Sequence, residues 1–491
     1  MLFLVKLFPE ITIKSRPVRK RFIRQLRKNL KNVLQELDAG LVVRGEWDCL
    51  EVHPATEDPQ VQLQIAERLA CIPGVSQFLE VDKFPLPDMD GMLDLAMQYY
   101  RKRLDGKSFA VRCKRTGKHA FKSVDVERFV GAGLNQNTGA ARVKLVDPDV
   151  TVAMEIRDNS FYMVKEQYAG LGGYPLGCQD AVLSLISGGF DSAVSSYLCI
   201  KRGLQTHYCF FNLGGRAHEL AVKELALFLW MKYHSSHRVK FVTVPFEGVV
   251  SEILNNVENS QMGVILKRMM LRAADRVAEH MGIKALVTGE SVAQVSSQTL
   301  ANLSVIDRVS ENLVLRPLST SNKQEIIDLA REIGSEDFSK NIPEYCAVIS
   351  KNPTTKARPE RIAKEEAKFD FAVLEAAVAS ANYQLITEVM NDSATNTSEV
   401  RLVSSASAGS QIIDIRHPDE IEIKPMPATP GSDDALIIPF YSLQHEFPKL
   451  DSSRQYLLYC DKGMMSRLHA AHLMDEGYVN VAVLDLSASP E

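Results

Sequence analysis

The 491-residue chain carries eight cysteines (Cys49, Cys71, Cys113, Cys178, Cys199, Cys209, Cys346 and Cys460) but no CxxC pair. Scattered so thinly, they indicate neither a disulfide scaffold nor a zinc site, and most are expected in cores. Long apolar runs are missing too. None approaches the roughly 20 residues that cross a bilayer, so no membrane segment is expected. The opening MLFLVK has no preceding basic stretch and no small-residue cleavage site; it reads as a first strand, and the protein is expected in the cytoplasm. There is no internal repeat. Large excess charge is also absent: a formal net charge of -4 argues against a uniformly basic nucleic-acid binder but leaves room for local asymmetry.

The remaining composition, 45% hydrophobic and 24% charged, fits a soluble globular enzyme. At roughly 100 to 200 residues per domain, the length predicts three or four domains. After the strand Leu2 to Leu7, Pro17 opens a helix whose apolar positions Phe22, Leu26, Leu30, Val33 and Leu37 recur at helical spacing. Lys14, Arg16, Arg19, Lys20, Arg21, Arg24, Arg27, Lys28 and Lys31 make its outward face a strip of positive charge, with no acidic residue between Lys14 and Lys31. A solvated helix face gives the same pattern. A second helix at Val61 to Leu69, followed by a turn and a strand, completes a small α+β unit.

From about Leu86 to Gln167 a second module is predicted: a helix at Met92 to Leu104, a strand at Ser108 to Cys113, a helix at Asp125 to Leu134, and strands around Lys144 and Val152. Its loop RCKRTGKHAFKS sets Arg112, Lys114, Arg115, Lys118 and Lys122 around His119 and Phe121. Cations there suit phosphates and the flat rings suit a base, although an ordinary solvated loop reads alike. The glycine-rich AGLGGYPLG (Ala169 to Gly177) reads as a hinge or a backbone-lined approach to a ligand. Beyond it, AVLSLI, THYCFF, VKFVTV and KALVTG are spaced for crossover helices and predict a parallel sheet covered on both faces. The polar run around residues 392–411 reads as a linker. IIDIRHPDEI, DDALIIPF, QYLLYC and NVAVLDL then form a smaller α/β domain.

The sharpest motif is SGGFDS, Ser187 to Ser192, between the strand Val182 to Ile186 and a helix starting near Ala193. Gly188 and Gly189 allow close backbone approach, and free N–H groups at a helix start favour phosphate oxygens. No lysine follows the loop, which argues for grip on a pyrophosphate rather than presentation of a γ-phosphoryl group. Cys460 sits between the strand Gln455 to Tyr459 and a helix start. Gly463 and that helix start can surround its sulfur with N–H groups, an environment that favours a thiolate or persulfide. A phosphatase would need Cys followed by five residues and Arg. Here Met465 and Ser466 take the fifth and sixth places and Arg467 the seventh, so the spacing is against that chemistry. Lys462 and Arg467 are placed to attract a donor's persulfide, while Lys462 alone also reads as a solvated side chain. Cys346, in PEYCAVISKNPTTKA, reads by itself as structural.

SGGFDS resembles the pyrophosphate loop of the N-type ATP pyrophosphatases. TGES (Thr288 to Ser291), QVSSQTLANL and LRPL follow it in the order found in tRNA 4-thiouridine synthases, the ThiI family. DIRHPDE (Asp414 to Glu420) with the Cys460 loop resembles rhodanese domains. The resemblance spans essentially the whole chain and implies an α/β multidomain fold. Its parts are a ferredoxin-like domain (1–60), a THUMP RNA-binding domain (61–167), a PP-loop adenylating domain (175–391), a linker (392–411) and a rhodanese domain (412–491).

The resemblance also implies that ATP, with Mg2+, is bound by Leu185, Ile186, Ser187, Gly188, Gly189, Asp191, Ser192, Lys267, Gly289 and Gln298; alone, Lys267 and Gln298 would read as solvated. Asp191 would position magnesium or the activated oxygen. Cys460 would carry sulfur as a persulfide loaded by a cysteine desulfurase, and Cys346 would form a disulfide with it that a thiol reductant resets. The implied product is 4-thiouridine at tRNA position eight, with a sulfur-carrier protein for the thiamine thiazole as a second acceptor. Two rivals remain open on the residues: an amidotransferase-like synthetase, which needs no persulfide cysteine, and a non-catalytic RNA-binding protein with relic domains.

Overall fold

The computed structural model describes residues 2–45, 49–213, 215–340, 342, 352–389, 400–407, 409–416, 421–422, 424–427, 435–460 and 464–486. Cys346, Lys462 and Gly463 lie outside the described residues. Two compact units form, Met1–Cys178 with Lys201–Gly203, and Gln179–Ile200 with Leu204–Glu491.

In the first unit a continuous sheet runs, in spatial order, through Val42–Arg44, Cys49–His53, Leu2–Leu7, Val75–Pro85, Ser160–Ala169, Val150–Arg157, Ser108–Thr116 and Arg142–Val143. The helix Arg16–Leu34 has Pro17 in its first turn and buries Phe22, Leu26, Leu30 and Val33. That apolar stripe shares one core with Val5, Leu50, Ile65, Leu69, Val75 and Phe78. The helix Pro59–Ala70, capped by Asp58 accepting from the Gln60 N–H, therefore packs with the chain's first strand. A second core gathers Met92, Ala96, Tyr100, Phe109, Val126, Leu134 and Val152 on the same sheet. The long antiparallel pair Val75–Pro85 with Ser160–Ala169 joins the two halves, in register from Gln77 opposite Ala169 to Pro85 opposite Ser160, with a bulge after Glu80.

The second unit contains two sheets. The larger orders Leu313–Leu315, Ala285–Val287, Ala181–Leu185, Gln205–Asn212, Lys240–Pro245 and Asn382–Leu385, all parallel except the last. Its first strand in sequence, Ala181–Leu185, lies between Gln205–Asn212 and Ala285–Val287, so the strand order reverses there. In an open α/β sheet the crevice at the carboxyl end of such a switch point is where ligands bind. Leu183, Cys209, Val242, Ile265, Met269 and Leu286 fill the core between this sheet and its helices.

The smaller sheet is wholly parallel: Leu402–Val403, Val481–Leu484, Gln455–Tyr459, Ser410–Asp414 and Leu436–Ile437. Leu402–Val403 falls in the stretch read from sequence as linker, yet it pairs with Val483 and Leu484. Among the described residues no helix is long and apolar enough to cross a membrane.

Candidate functional site

The strand Ala181–Leu185 runs into SGGFDS, and the helix Phe190–Lys201 starts within that motif. Ser192 closes the loop on itself: its Oγ accepts from the Ser187 N–H at 3.2 Å and donates to the Gly189 carbonyl at 3.0 Å. Gly188 has φ of +93°, and a Cβ there would come within 2.7 Å of Ile342. Its freedom thus serves close packing of the protein on itself as well as the turn. Gly289 is required for a similar reason, since its Cβ would lie 2.6 Å from the Asp191 carbonyl carbon. TGES can approach the SGGFDS loop only with a glycine at that place.

Beside the loop opens a cavity of about 430 Å³. Of the residues expected at the nucleotide, Leu185, Ile186, Ser187, Asp191, Ser192, Lys267, Gly289 and Gln298 line it. Gly188 and Gly189 shape the loop but are not among the lining residues. Phe210, Phe211, Met270 and Leu271 give it an apolar wall suited to a flat ring.

Two charge networks border this space, and the residues expected at the nucleotide include only one member of each, Asp191 and Lys267. Asp191 accepts from Lys323 Nζ and from Gln294 Nε2, both at 2.8 Å. Lys323 reaches it because Asn322 and Glu325 form a capping box that fixes Lys323 as the first residue of the helix Lys323–Ile333. That box, NKQE, is the signal the sequence offers. In the second network, Lys267 Nζ lies 2.6 Å from Glu290 Oε1, and Arg316 Nε lies 2.8 Å from Glu290 Oε2. Arg316 is held in turn by both oxygens of Asp307. Burial pushes the Glu290 carboxyl upward, but the charges and hydrogen bonds of Lys267 and Arg316 outweigh it and hold it below its ordinary value.

His218 also lines the cavity, and its Nε2 donates to the Ser187 carbonyl at 3.2 Å. Burial lowers its pKa against the smaller raising effect of that bond, so the ring is neutral at pH 7. A glycine loop, a helix start, Lys267 at the cavity and Lys323 on Asp191 suit a polyphosphate.

Cys460 follows the strand Gln455–Tyr459 and is 8% exposed. The Ser466 N–H donates to its sulfur at 3.4 Å, and Ser466 Oγ is equally near. The helix Met464–Asp475 therefore turns the Ser466 N–H of its first turn toward the sulfur, a contact that favours an anion. The expected role of Arg467 is not what its geometry favours, because it pairs with Asp485 at 2.8 Å. Asp414 and Arg416 of the DIRHPDE motif form a buried ion pair, Nε to Oδ1 at 2.9 Å, with the guanidinium 5.0 Å from the Tyr459 ring. They brace the strand that leads into Cys460.

Cys346 is not described, but its described neighbours are informative. Ile342 presses on Gly188, and Pro353 and Thr354 line the cavity. Thr354 is anchored there: its N–H donates to the Ser260 carbonyl at 2.9 Å, and its carbonyl accepts from Asn302 at 2.7 Å.

In the first unit, Lys14, Arg16, Lys20, Arg21, Arg24, Arg27, Lys28 and Lys31 are exposed along one helix and its approach. In the other basic loop the rings are less free than the sequence implies. His119 stacks on Phe121 at 5.3 Å, donates from Nε2 to the Asp158 carbonyl and accepts at Nδ1 from Arg115.

The family model described as "Thiamine biosynthesis protein (ThiI)" matches residues 177–371, the THUMP domain matches 87–165, and the ThiI ferredoxin-like domain matches 2–78. A tRNA sulfurtransferase of Azotobacter vinelandii is 56% identical over 483 residues, covering 98% of this chain and 99% of that protein. One from Pseudomonas aeruginosa is 55% identical over the same coverage. Among solved structures, a 4-thiouridine synthetase–RNA complex with bound ATP aligns with a TM-score of 0.68 at 26% identity, covering 78% of this chain and 99% of that one. A Pyrococcus horikoshii protein, PH1313, shares the fold with a TM-score of 0.53 at 17% identity, over 68% of this chain and all of the other.

Proposed function

The chain belongs to the ThiI family of tRNA sulfurtransferases, and from that premise we propose that it adenylates a tRNA uridine with ATP and replaces the activated oxygen with sulfur delivered from Cys460. A uracil carbonyl oxygen is a poor leaving group until it is esterified. In the proposed first step O4 attacks the α-phosphorus of ATP and pyrophosphate departs. The SGGFDS loop, Lys267 and Lys323 hold the phosphates, and the Phe210 and Phe211 wall receives the adenine. Magnesium takes most of its ligands from phosphates and water; of the two carboxylates at the cavity, Asp191 and Glu290, Asp191 would hold the ion, which would supply charge neutralisation at the phosphates.

The terminal sulfur of a Cys460 persulfide then bonds to C4, and AMP leaves with the original oxygen. Cys346 attacks the inner sulfur of Cys460, before or after that bond forms. Either order breaks the persulfide bond and leaves a Cys346–Cys460 disulfide, which a thiol reductant returns to two thiols. A cysteine desulfurase reloads Cys460. Its position at the end of a parallel sheet, with the following helix start at its sulfur, supports reading residues 412–491 as a rhodanese domain. The basic helix and the THUMP loop hold the tRNA backbone so that uridine eight reaches the cavity. A sulfur-carrier protein of thiamine thiazole synthesis is proposed as a second acceptor for the same persulfide.

The observation that carries this reading is convergence at the cavity. Ile342 and Pro353, four and seven residues from Cys346, border the same loop and pocket that Lys267 and Asp191 line. The test is incubation with ATP, magnesium, unmodified tRNA, cysteine and a desulfurase, followed by mass analysis of nucleosides. Wild type should yield 4-thiouridine, while Cys460→Ser should still convert ATP to AMP yet yield none. Normal product from Cys460→Ser would favour the amidotransferase-like rival. Absence of AMP formation by wild type would favour a relic that only binds RNA.

A further inference from the structure

A sulfur carried on one domain must reach a base activated on another, and within the second unit the two domains already touch. The helix Met464–Asp475, whose first turn holds the Cys460 sulfur, packs on the helix Gly215–Leu229. His469 Nε2 of the former lies 3.5 Å from Glu224 Oε1 of the latter, and both side chains are almost closed to solvent. Beside them Phe440 stacks on Phe338, with ring centroids 4.5 Å apart. Phe338 lies against Phe228 at 4.7 Å on its other side.

The elements that receive the sulfur domain are the ones that shape the nucleotide cavity. His218, which bonds the Ser187 carbonyl, lies on the Glu224 helix, six residues or about 9 Å back along its axis. Ile342, which packs on Gly188, follows Phe338 by four residues, and Cys346 follows Ile342 by four more. His469 stands one turn beyond Ser466, the residue at the Cys460 sulfur. The contact is thus one turn from the residue at the Cys460 sulfur on one helix and under two turns from the residue that bonds Ser187 on the other.

We infer that Glu224 and His469 are positioning residues: they form a latch that docks the sulfur-carrying domain in the pose from which it serves the nucleotide cavity. This inference rests on the sulfur-transfer reading above. Aromatic packing alone would hold the two surfaces together. Burying an acid and an imidazole between them costs solvation, and such a pair weakens an interface while specifying a single register. Burial pushes the Glu224 carboxyl up to about 8, so it keeps its proton at neutral pH. His469 faces that acid across the domain contact at 3.5 Å and fixes where the two helices meet. A contact of this kind selects one pose and still releases, as a domain that must also meet a desulfurase requires.

The test uses the full chain with Glu224→Gln, His469→Gln and the double variant, read by four measurements. These are ATP-to-AMP conversion, transfer of the Cys460 persulfide to cyanide, 4-thiouridine formation, and amide hydrogen exchange of residues 218–229. AMP formation and cyanide transfer should stay within twofold of wild type. Thiolation should fall at least tenfold, exchange in 218–229 should rise several-fold, and the double variant should be no worse than the worse single one, because each substitution breaks the same interaction. Unchanged thiolation or unchanged exchange would overturn the latch. So would a parallel fall in AMP formation or cyanide transfer, since the residues would then serve only the integrity of their own domains. The exchange readout needs no reaction, so it judges the contact even if Cys460→Ser proves the sulfur-transfer reading itself wrong.

Discussion

Glu290 is the buried carboxylate shared by two half-buried cations beside the cavity, one of which, Arg316, Asp307 also holds. Replacing it with Gln leaves Lys267 and Arg316 without their shared carboxylate. Breaking one side of such a buried pair costs about 3 to 5 kcal/mol, so urea unfolding at pH 7 should show a loss of that order. The sign with pH follows from a folded-state pKa held below 4.5. The stabilisation is fully present above the unfolded value and disappears as pH falls through the lower folded one. The gap between wild type and Glu290→Gln should therefore narrow in strongly acidic urea titrations; a gap independent of pH would contradict the assignment. Because Lys267 loses its anchor, KM for ATP should rise roughly tenfold, about 1.4 kcal/mol of binding.

The same scale shows what is legible in the sequence. SGGFDS stands out because paired glycines and hydroxyl residues at a strand-to-helix junction mark a close backbone approach, here of the protein to itself as well; TGES is legible through the family resemblance. Lys323 does not stand out, because its partner Asp191 lies 132 residues away and only the sheet order brings them together. Arg467 misleads for a related reason. Its distance in sequence from Cys460 is plain, but the turn of the helix that points it toward Asp485 is not.

At the scale of elements, periodicity serves well wherever one face is apolar and the other charged. The helix Arg16–Leu34 has its buried stripe and basic face where the pattern requires them. Changing Arg24, Arg27 and Lys28 together to Gln should leave the thermal midpoint within a few degrees of wild type, since all three are exposed. Affinity for tRNA should fall, and the dependence of log K on log salt should flatten by roughly 0.7 to 0.9 for each phosphate no longer neutralised. An unchanged salt slope in a binding titration would assign this face to solvent. Short edge strands escape the pattern. Leu402–Val403 has only two residues in a Ser-rich stretch, and it is a strand because the partner Val481–Leu484 offers it a ladder. The loop around His119 is legible in its charges but not in its internal ties, which depend on the Asp158 turn supplied by another hairpin.

At the scale of the whole molecule, the alternation of strands and helices is enough to foresee parallel sheets, and the order reversal at Ala181–Leu185 explains why the SGGFDS loop sits beside a crevice. Docking between domains leaves no periodic trace in the sequence, since Glu224 and His469 are single residues on otherwise ordinary helices. In the proposed function the cavity is an adenylating site and the thiol of Cys460 a separate source of sulfur, so the displaced oxygen must leave on the nucleotide. Transfer RNA carrying 18O at O4 of uridine eight, reacted with ATP, cysteine and a desulfurase, tests this directly by mass analysis of the released AMP. AMP with one 18O in its phosphate for each 4-thiouridine formed is the predicted result. Unlabelled AMP alongside 4-thiouridine would contradict the proposed order of bond making and breaking.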